Sequence, residues 1–183
     1  GVPEVVLTGV CLGSWRAGGR GLETLVRALA ALEGPTRLRL SSVEPEAVGP
    51  ALLEAMAEAG PERVCPHLHL PLQHGSARLL RRMGRPYGPE AFLELARLAR
   101  RILVEPALTT DVIVGFPGEE QAAGEATLGV LEVLEPTRVH VFPYSPRAGT
   151  PACRLPDRVP PALVRERALR ARSLSKDWAR QAA

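Results

Sequence analysis

The sequence predicts an α/β fold built on a parallel sheet, and three observations carry that expectation. Five short apolar runs alternate with segments of helical periodicity along the chain. Proline and glycine stand at the joins, where helices prefer to begin and end. A chain of 183 residues, 45% apolar and 23% charged, suffices for one domain with a real core and is short for two. Strand–helix alternation at this spacing calls for right-handed crossovers, which a doubly wound sheet and a barrel both satisfy.

The first run, "EVVLTGV" (4–10), precedes "GLETLVRALAALE" (21–33), where Leu22, Leu25, Val26, Leu29 and Leu32 mark one helix face. "RLRLSSV" (37–43) precedes "PALLEAMAEAG" (50–60), with proline at its start and Gly60 at its end. "HLHLPL" (67–72) precedes "SARLLRRM" and then "GPEAFLELARLARRIL". "ALTTDVIVGF" (107–116) precedes "EEQAAGEATLGVLEVLE", and "RVHVFPYS" (138–145) leads through a proline-rich connector to a helix from about Ala162.

In either topology the working site lies beyond the carboxyl ends of the strands. Those ends read "TGVCLGSW", "SSVEPE", "LPLQHGS", "VGFPGEE" and "FPYSPRAGTP". Glycine there allows close backbone approach to a ligand, and Ser42, Glu44 or Gln73 can orient a polar one. Tight turns also need Gly and Pro, but five such ends at one rim favour a binding site. In "GFPGEE" the glutamates Glu119 and Glu120 read as complements to a helix dipole, leaving Gly115 and Pro117 as the residues a plain turn does not require.

His67 and His69 alternate on one strand and so share a side. Without a carboxylate or cysteine at ligand spacing they read as packed core histidines, as do His74 and His140, and no metal is assigned. Arg147 in "SPRAGTP" suits bidentate contact to phosphate or carboxylate and equally suits a proline-stiffened surface turn.

Net charge is +3, but from Arg154 onward eight basic residues face three acidic ones, +5 net, which leaves −2 elsewhere. That basic tail is compatible with phosphates and equally with a solvated arginine-rich helix. No apolar run approaches the ~18 residues of a membrane helix, and no secretory signal opens the chain. Cys11, Cys65 and Cys153 form neither a disulfide framework nor a CxxC site, so a reducing cytoplasmic setting is expected.

Six ordered stretches, "EVVLTGVCLGSW", "RLRLSSVEPE", "CPHLHLPLQHGS", "RRMGRPYGPEAF", "TTDVIVGFPGE" and "HVFPYSPRAGTPA", resemble the radical S-adenosylmethionine methylthiotransferases over essentially the whole chain. "LTGVCLGSW" resembles the branch acting on N6-threonylcarbamoyladenosine at position 37 of the tRNA anticodon loop. The alternatives are the isopentenyladenosine and ribosomal-protein aspartate branches, or a truncated, non-catalytic nucleoside- or RNA-binding relative. The resemblance implies a partial, TIM-like (β/α)6 barrel between an N-terminal cluster-binding domain and a C-terminal TRAM domain. It also implies tRNA as substrate, an electron donor, and a [4Fe–4S] cluster on CxxxCxxC that reductively cleaves S-adenosylmethionine.

That CxxxCxxC is absent here, and the three cysteines cannot replace it at their spacing. The expectation is therefore a partial barrel of the second to sixth strand units (1–153) with its first strand unit missing, then a basic linker and C-terminal helix (154–183). The cluster and TRAM domains would be absent, the chain inactive by itself, and its open sheet edge prone to self-association. Cys11, Trp15 and His74 depart from the family's usual residues. By resemblance, S-adenosylmethionine draws on Ser42, Glu44, Gln73, Asp111, Ile113, Gly115, Phe142 and Tyr144. RNA contact falls to Arg147 and the Arg165–Arg180 stretch, Arg165 and Arg172 included. No catalytic residue is assigned.

Overall fold

The computed structural model describes residues 2–34 and 36–181, apart from the side chains at 177 and 179–181. Strands β1 (Glu4–Leu7), β2 (Arg37–Leu40), β3 (His67–His69), β4 (Ala107–Val114) and β5 (Arg138–Pro143) stand in the expected order. Between and after them come helices α1 (Leu22–Ala30), α2 (Pro50–Ala59), α3 (Ala77–Arg82), α4 (Pro89–Ile102), α5 (Gln121–Leu134) and α6 (Pro161–Gln181). The chain divides into two compact units: Gly1–Pro71 with Glu94–Leu108, and Leu72–Leu93 with Thr109–Ala183.

In the first unit β1 and β2 pair in parallel, from Glu4 opposite Arg37 to Leu7 opposite Leu40. Leu38 and Leu40 point into the core while Arg37 and Arg39 point out to bind the Glu4 carboxylate, the period-two pattern of a half-buried strand. α1 buries Leu22 and Val26 one turn apart, and α2 buries Leu52, Leu53, Ala55 and Met56. Each fully buried leucine stabilises the fold by roughly 1.5–3 kcal/mol relative to exposure. α2 starts on Pro50 and stops at Gly60, whose φ of +78° few side chains adopt. β1 is shorter than its apolar run: it ends at Leu7, and Val10 lies fully exposed in the loop that follows.

In the second unit β4 and β5 pair in parallel, Thr109 opposite Arg138 through Val114 opposite Pro143. Thr110, Val112 and Val114 are buried, and Thr109, Asp111 and Ile113 alternate onto the other face. α5 buries Ala123, Thr127, Leu128, Leu131 and Leu134. α6 covers the outer side of β5: the Val139 N–H donates to Ser175 Oγ at 2.9 Å, and Arg172 donates to the Val141 carbonyl at 3.1 Å. Backbone groups that an edge strand would leave bare are thereby satisfied by side chains.

The β1–β2 and β4–β5 pairings are parallel, as the alternation predicts, and among the described residues the strands of neither unit close into a barrel. Among the described residues no helix is long and apolar enough to cross a membrane.

Candidate functional site

The strand ends of the second unit converge on one cavity. Gln73 meets β4 through two backbone hydrogen bonds: its N–H donates to the Asp111 carbonyl and its carbonyl accepts the Ile113 N–H, both at 2.8 Å. Its φ is +67°, a left-handed conformation that costs a non-glycine residue about 1–3 kcal/mol. Strain of that kind persists where the surroundings enforce it, here through a paired backbone on a buried strand. The result is that Gln73 shares a cavity of about 430 Å³ with Ile113, Phe116, Phe142, Tyr144 and Arg147.

Parallel register builds the apolar wall, because Ile113 stands opposite Phe142 on the face that also carries Asp111 opposite His140. Phe142 is 50% exposed although it is apolar, so this wall is open to a ligand. The Tyr144 N–H donates to the Val114 carbonyl at 2.8 Å, and its ring packs edge-on against Phe116 at 5.2 Å. Its hydroxyl is buried without a hydrogen-bond partner. An orphaned buried hydroxyl costs about 1–3 kcal/mol and is the kind of group a bound polar molecule satisfies.

The same unit holds a buried charged network. Glu119 is 5% exposed, and its carboxylate accepts the Gly115 N–H. Arg167, on α6, sits 3.4 Å from that carboxylate and also donates to the Glu119 carbonyl at 2.9 Å. His74, fully buried, places Nε2 3.7 Å from Glu119 Oε1 while its Nδ1 accepts the Ser76 N–H at 2.9 Å. That acceptor role leaves the neutral ring's proton on Nε2, facing Glu119. Thr127 of α5 accepts the Gly75 N–H at 2.9 Å. Gly115 has φ +80°, and a Cβ there would come within 2.5 Å of Val164. One carboxylate thus ties two strand-end loops to α6, while Thr127 holds the first of them to α5.

The glutamate pair departs from the sequence reading. Glu120 occupies the N-cap position of α5, exposed and without a side-chain cap bond, whereas Glu119 turns inward. His74 is buried, as read. What sequence reasoning missed is the connection of Glu119 to His74 and Arg167. No local signal pointed to it, since Arg167 lies 48 residues further along the chain than Glu119.

The remaining candidates divide by unit. Gln73, Asp111, Ile113, Gly115, Phe142 and Tyr144 belong to the second unit, Ser42 and Glu44 to the first. Ser42 is exposed and bridges His69 in parallel; Glu44 is half-buried, and its Oε2 accepts the Gly13 N–H at 3.2 Å. Gly13 is needed there, since a Cβ would fall 2.2 Å from that of Ala47. His67 and His69 are half-buried; burial, and then the Arg39 charge, holds His67 below its ordinary pKa. The guanidiniums of Arg147 and Arg165 are exposed, while Arg172 spends an N–H on β5. The Arg180 side chain lies outside the described residues.

The cavity fits a nucleoside: an apolar wall of Ile113, Phe116 and Phe142 with the polar Gln73 beside it, in about 430 Å³. A [4Fe–4S] cluster does not fit the cysteines present. Cys11 is exposed and Cys65 buried in the first unit, and Cys153 is half-buried in the second, so neither unit offers three thiolates.

Comparison with known proteins agrees with this geometry. The profile of the Radical SAM superfamily matches residues 1–130. The chain is 41% identical over 168 residues to threonylcarbamoyladenosine tRNA methylthiotransferase MtaB of Thermotoga maritima, covering 91% of this chain and 38% of that protein. It is 45% identical over 143 residues to the tRNA-2-methylthio-N(6)-dimethylallyladenosine synthase of Corynebacterium urealyticum, covering 78% of this chain and 26% of that one. The chain therefore spans well under half the length of these relatives. Among solved structures, coproporphyrinogen III oxidase HemN of Escherichia coli, described as a radical SAM enzyme, superposes with a TM-score of 0.66 at 20% identity, covering 86% of this chain and 36% of that one. The radical S-adenosylmethionine methyltransferase TsrM of Kitasatospora setae gives 0.61 at 17% identity over 77% of this chain and 27% of its own. At such identities the likeness is one of fold.

Proposed function

This chain belongs to the radical S-adenosylmethionine superfamily, and we propose that it is the S-adenosylmethionine-binding part of a cytoplasmic tRNA methylthiotransferase that modifies an N6-substituted adenosine at position 37. The observation that carries the reading is the cavity that Gln73, Ile113, Phe142 and Tyr144 line together, with the unpartnered, buried Tyr144 hydroxyl on one of its lining residues. Ile113 and Phe142 cover the adenine face, Gln73 and the Tyr144 hydroxyl take polar atoms of the ribose or the amino-acid end, and the Glu119 network holds the loops still. S-adenosylmethionine, when bound, supplies a reducible sulfonium and a transferable methyl group; the residues of this chain bind and orient it. Asp111 stands on the same strand face as Ile113, and Ser42 and Glu44 are further candidates from the first unit. The cluster and its electron donor are the family's, held by residues other than these.

The finer assignment is N6-threonylcarbamoyladenosine, resting on the resemblance of "LTGVCLGSW". The dimethylallyladenosine reading is the alternative, favoured by the 45% identity of the Corynebacterium urealyticum relative. Nucleoside analysis of tRNA from a deletion strain separates them. Loss of the methylthio group from threonylcarbamoyladenosine alone supports the first; its loss from dimethylallyladenosine alone supports the second; retention of both contradicts the tRNA reading.

A further inference from the structure

A second cavity of the same unit, of about 360 Å³, is lined by Gly115 and Tyr144 of the candidate site together with residues that site does not use. Pro117, Pro146, Val159 and Val164 form its apolar walls, and Arg158 and Arg165 stand on its lining. Tyr144 lines both cavities. Both arginines are exposed. Arg158 spends one N–H on a long 3.4 Å bond to the Cys153 carbonyl, and among the described residues no carboxylate pairs with either guanidinium. α6 begins here at Pro161 and adds the positive end of a 21-residue helix.

An apolar slot bearing two unneutralised, planar cations suits one chemical class: a flat ring against the prolines and a phosphate on the arginines. A carboxylate-bearing metabolite would use the cations but not the flat proline walls. We propose that this cavity is a second nucleotide subsite, which takes a nucleotide flanking the target adenosine of the RNA strand and holds its phosphate on Arg158 and Arg165. The inference rests on the tRNA reading above and adds to it a place for the strand next to the reacting base. It also gives Arg165 a defined ligand atom and recruits Arg158, which the sequence did not single out. Tyr144 then borders both the neighbouring nucleotide and the adenosyl group.

The test is fluorescence anisotropy of a labelled anticodon stem-loop RNA with adenosine at position 37, titrated with the purified full chain over a series of salt concentrations. Arg158→Ala and Arg165→Ala are each expected to weaken binding about five- to tenfold and to reduce the salt slope by about one. Val159→Trp fills the cavity without changing charge, so it is expected to weaken binding by a similar factor with the slope unchanged. Arg170→Ala, on another face of α6, is expected to change neither. Wild-type-like binding by both arginine variants, with binding still lost in Arg147→Ala, would overturn the subsite and leave the tRNA reading standing. Weakening by the arginine changes but not by Val159→Trp would also overturn it, since that marks a general basic surface. No RNA binding by the unsubstituted chain would overturn subsite and tRNA reading together.

Discussion

The two units share surface ion pairs, but the second also buries a carboxylate with an arginine. In the first, carboxylates meet arginines at the surface: Glu4 lies 2.8 Å from Arg37 and 2.7 Å from Arg39, and Glu58 lies 2.7 Å from Arg27. Water screens such pairs, and they contribute little. In the second, Glu119 and Arg167 are 1% and 13% exposed in their side chains, with His74 and a strand-end amide on the same carboxylate. Removing those charges from water costs several kcal/mol each, which the facing guanidinium and the strand-end amide offset. The first unit has a small apolar crevice of about 50 Å³ and the second a cavity of about 430 Å³. The buried charge of the second unit ties its strand-end loops to α6.

That contrast breaks first at Glu119. Glu119→Ala leaves Arg167 and the Gly115 N–H unmatched in a low-dielectric interior and should cost about 3–5 kcal/mol in urea denaturation. A loss below about 1 kcal/mol would place the network with the surface pairs. Next comes Gly115→Ala, which adds a Cβ 2.5 Å from Val164 at φ +80°. Its cost should be about 1–3 kcal/mol. Gly60→Ala in the first unit has a similar φ of +78° but open space around the Cβ. It should cost about 1 kcal/mol from backbone strain alone.

Acid sharpens the comparison further. Burial, aided by Arg39, depresses the His67 pKa below 6.5 in the folded state, so the folded protein binds fewer protons than the unfolded chain. The stability it contributes is present above 6.5 and is lost as pH falls through its folded value. Glu4, held low chiefly by Arg39, Glu58 by Arg27 and Glu125 by Arg170 act likewise below 4.5. Denaturation over a pH series should therefore show two successive losses on acidification, and His67→Asn should flatten the upper one. The smallest effect belongs to Arg27→Ala, whose melting temperature should match the parent within error, most closely at high salt.

The site-bearing strands were legible because their chemistry is local. A period of two put Ile113 and Asp111 on one face, and the Gly–Phe–Pro–Gly punctuation fixed where β4 ends. The network was not, because which of two adjacent glutamates turns inward depends on Gly118 at φ +82° and on Arg167, 48 residues further along the chain. Arg172 shows the same limit: its N–H reaches the Val141 carbonyl only through the phase of α6 on β5. Phase between elements is a property of packing that periodicity within one element does not encode. Edge pairing through β1, where Val5 and Val6 are 40% and 51% exposed, stays a matter for light scattering, which should show association if that edge recruits a second chain.

The most direct test of the adenosyl site is a titration of the isotopically labelled chain with S-adenosylmethionine, followed through its backbone amide signals. Saturable shifts at Gln73, Ile113, Phe142 and Tyr144, abolished when Ile113→Trp fills the cavity, are the result this account predicts. Shifts confined to the Met56–Val64 crevice of the first unit, or none at saturating concentration, would contradict it.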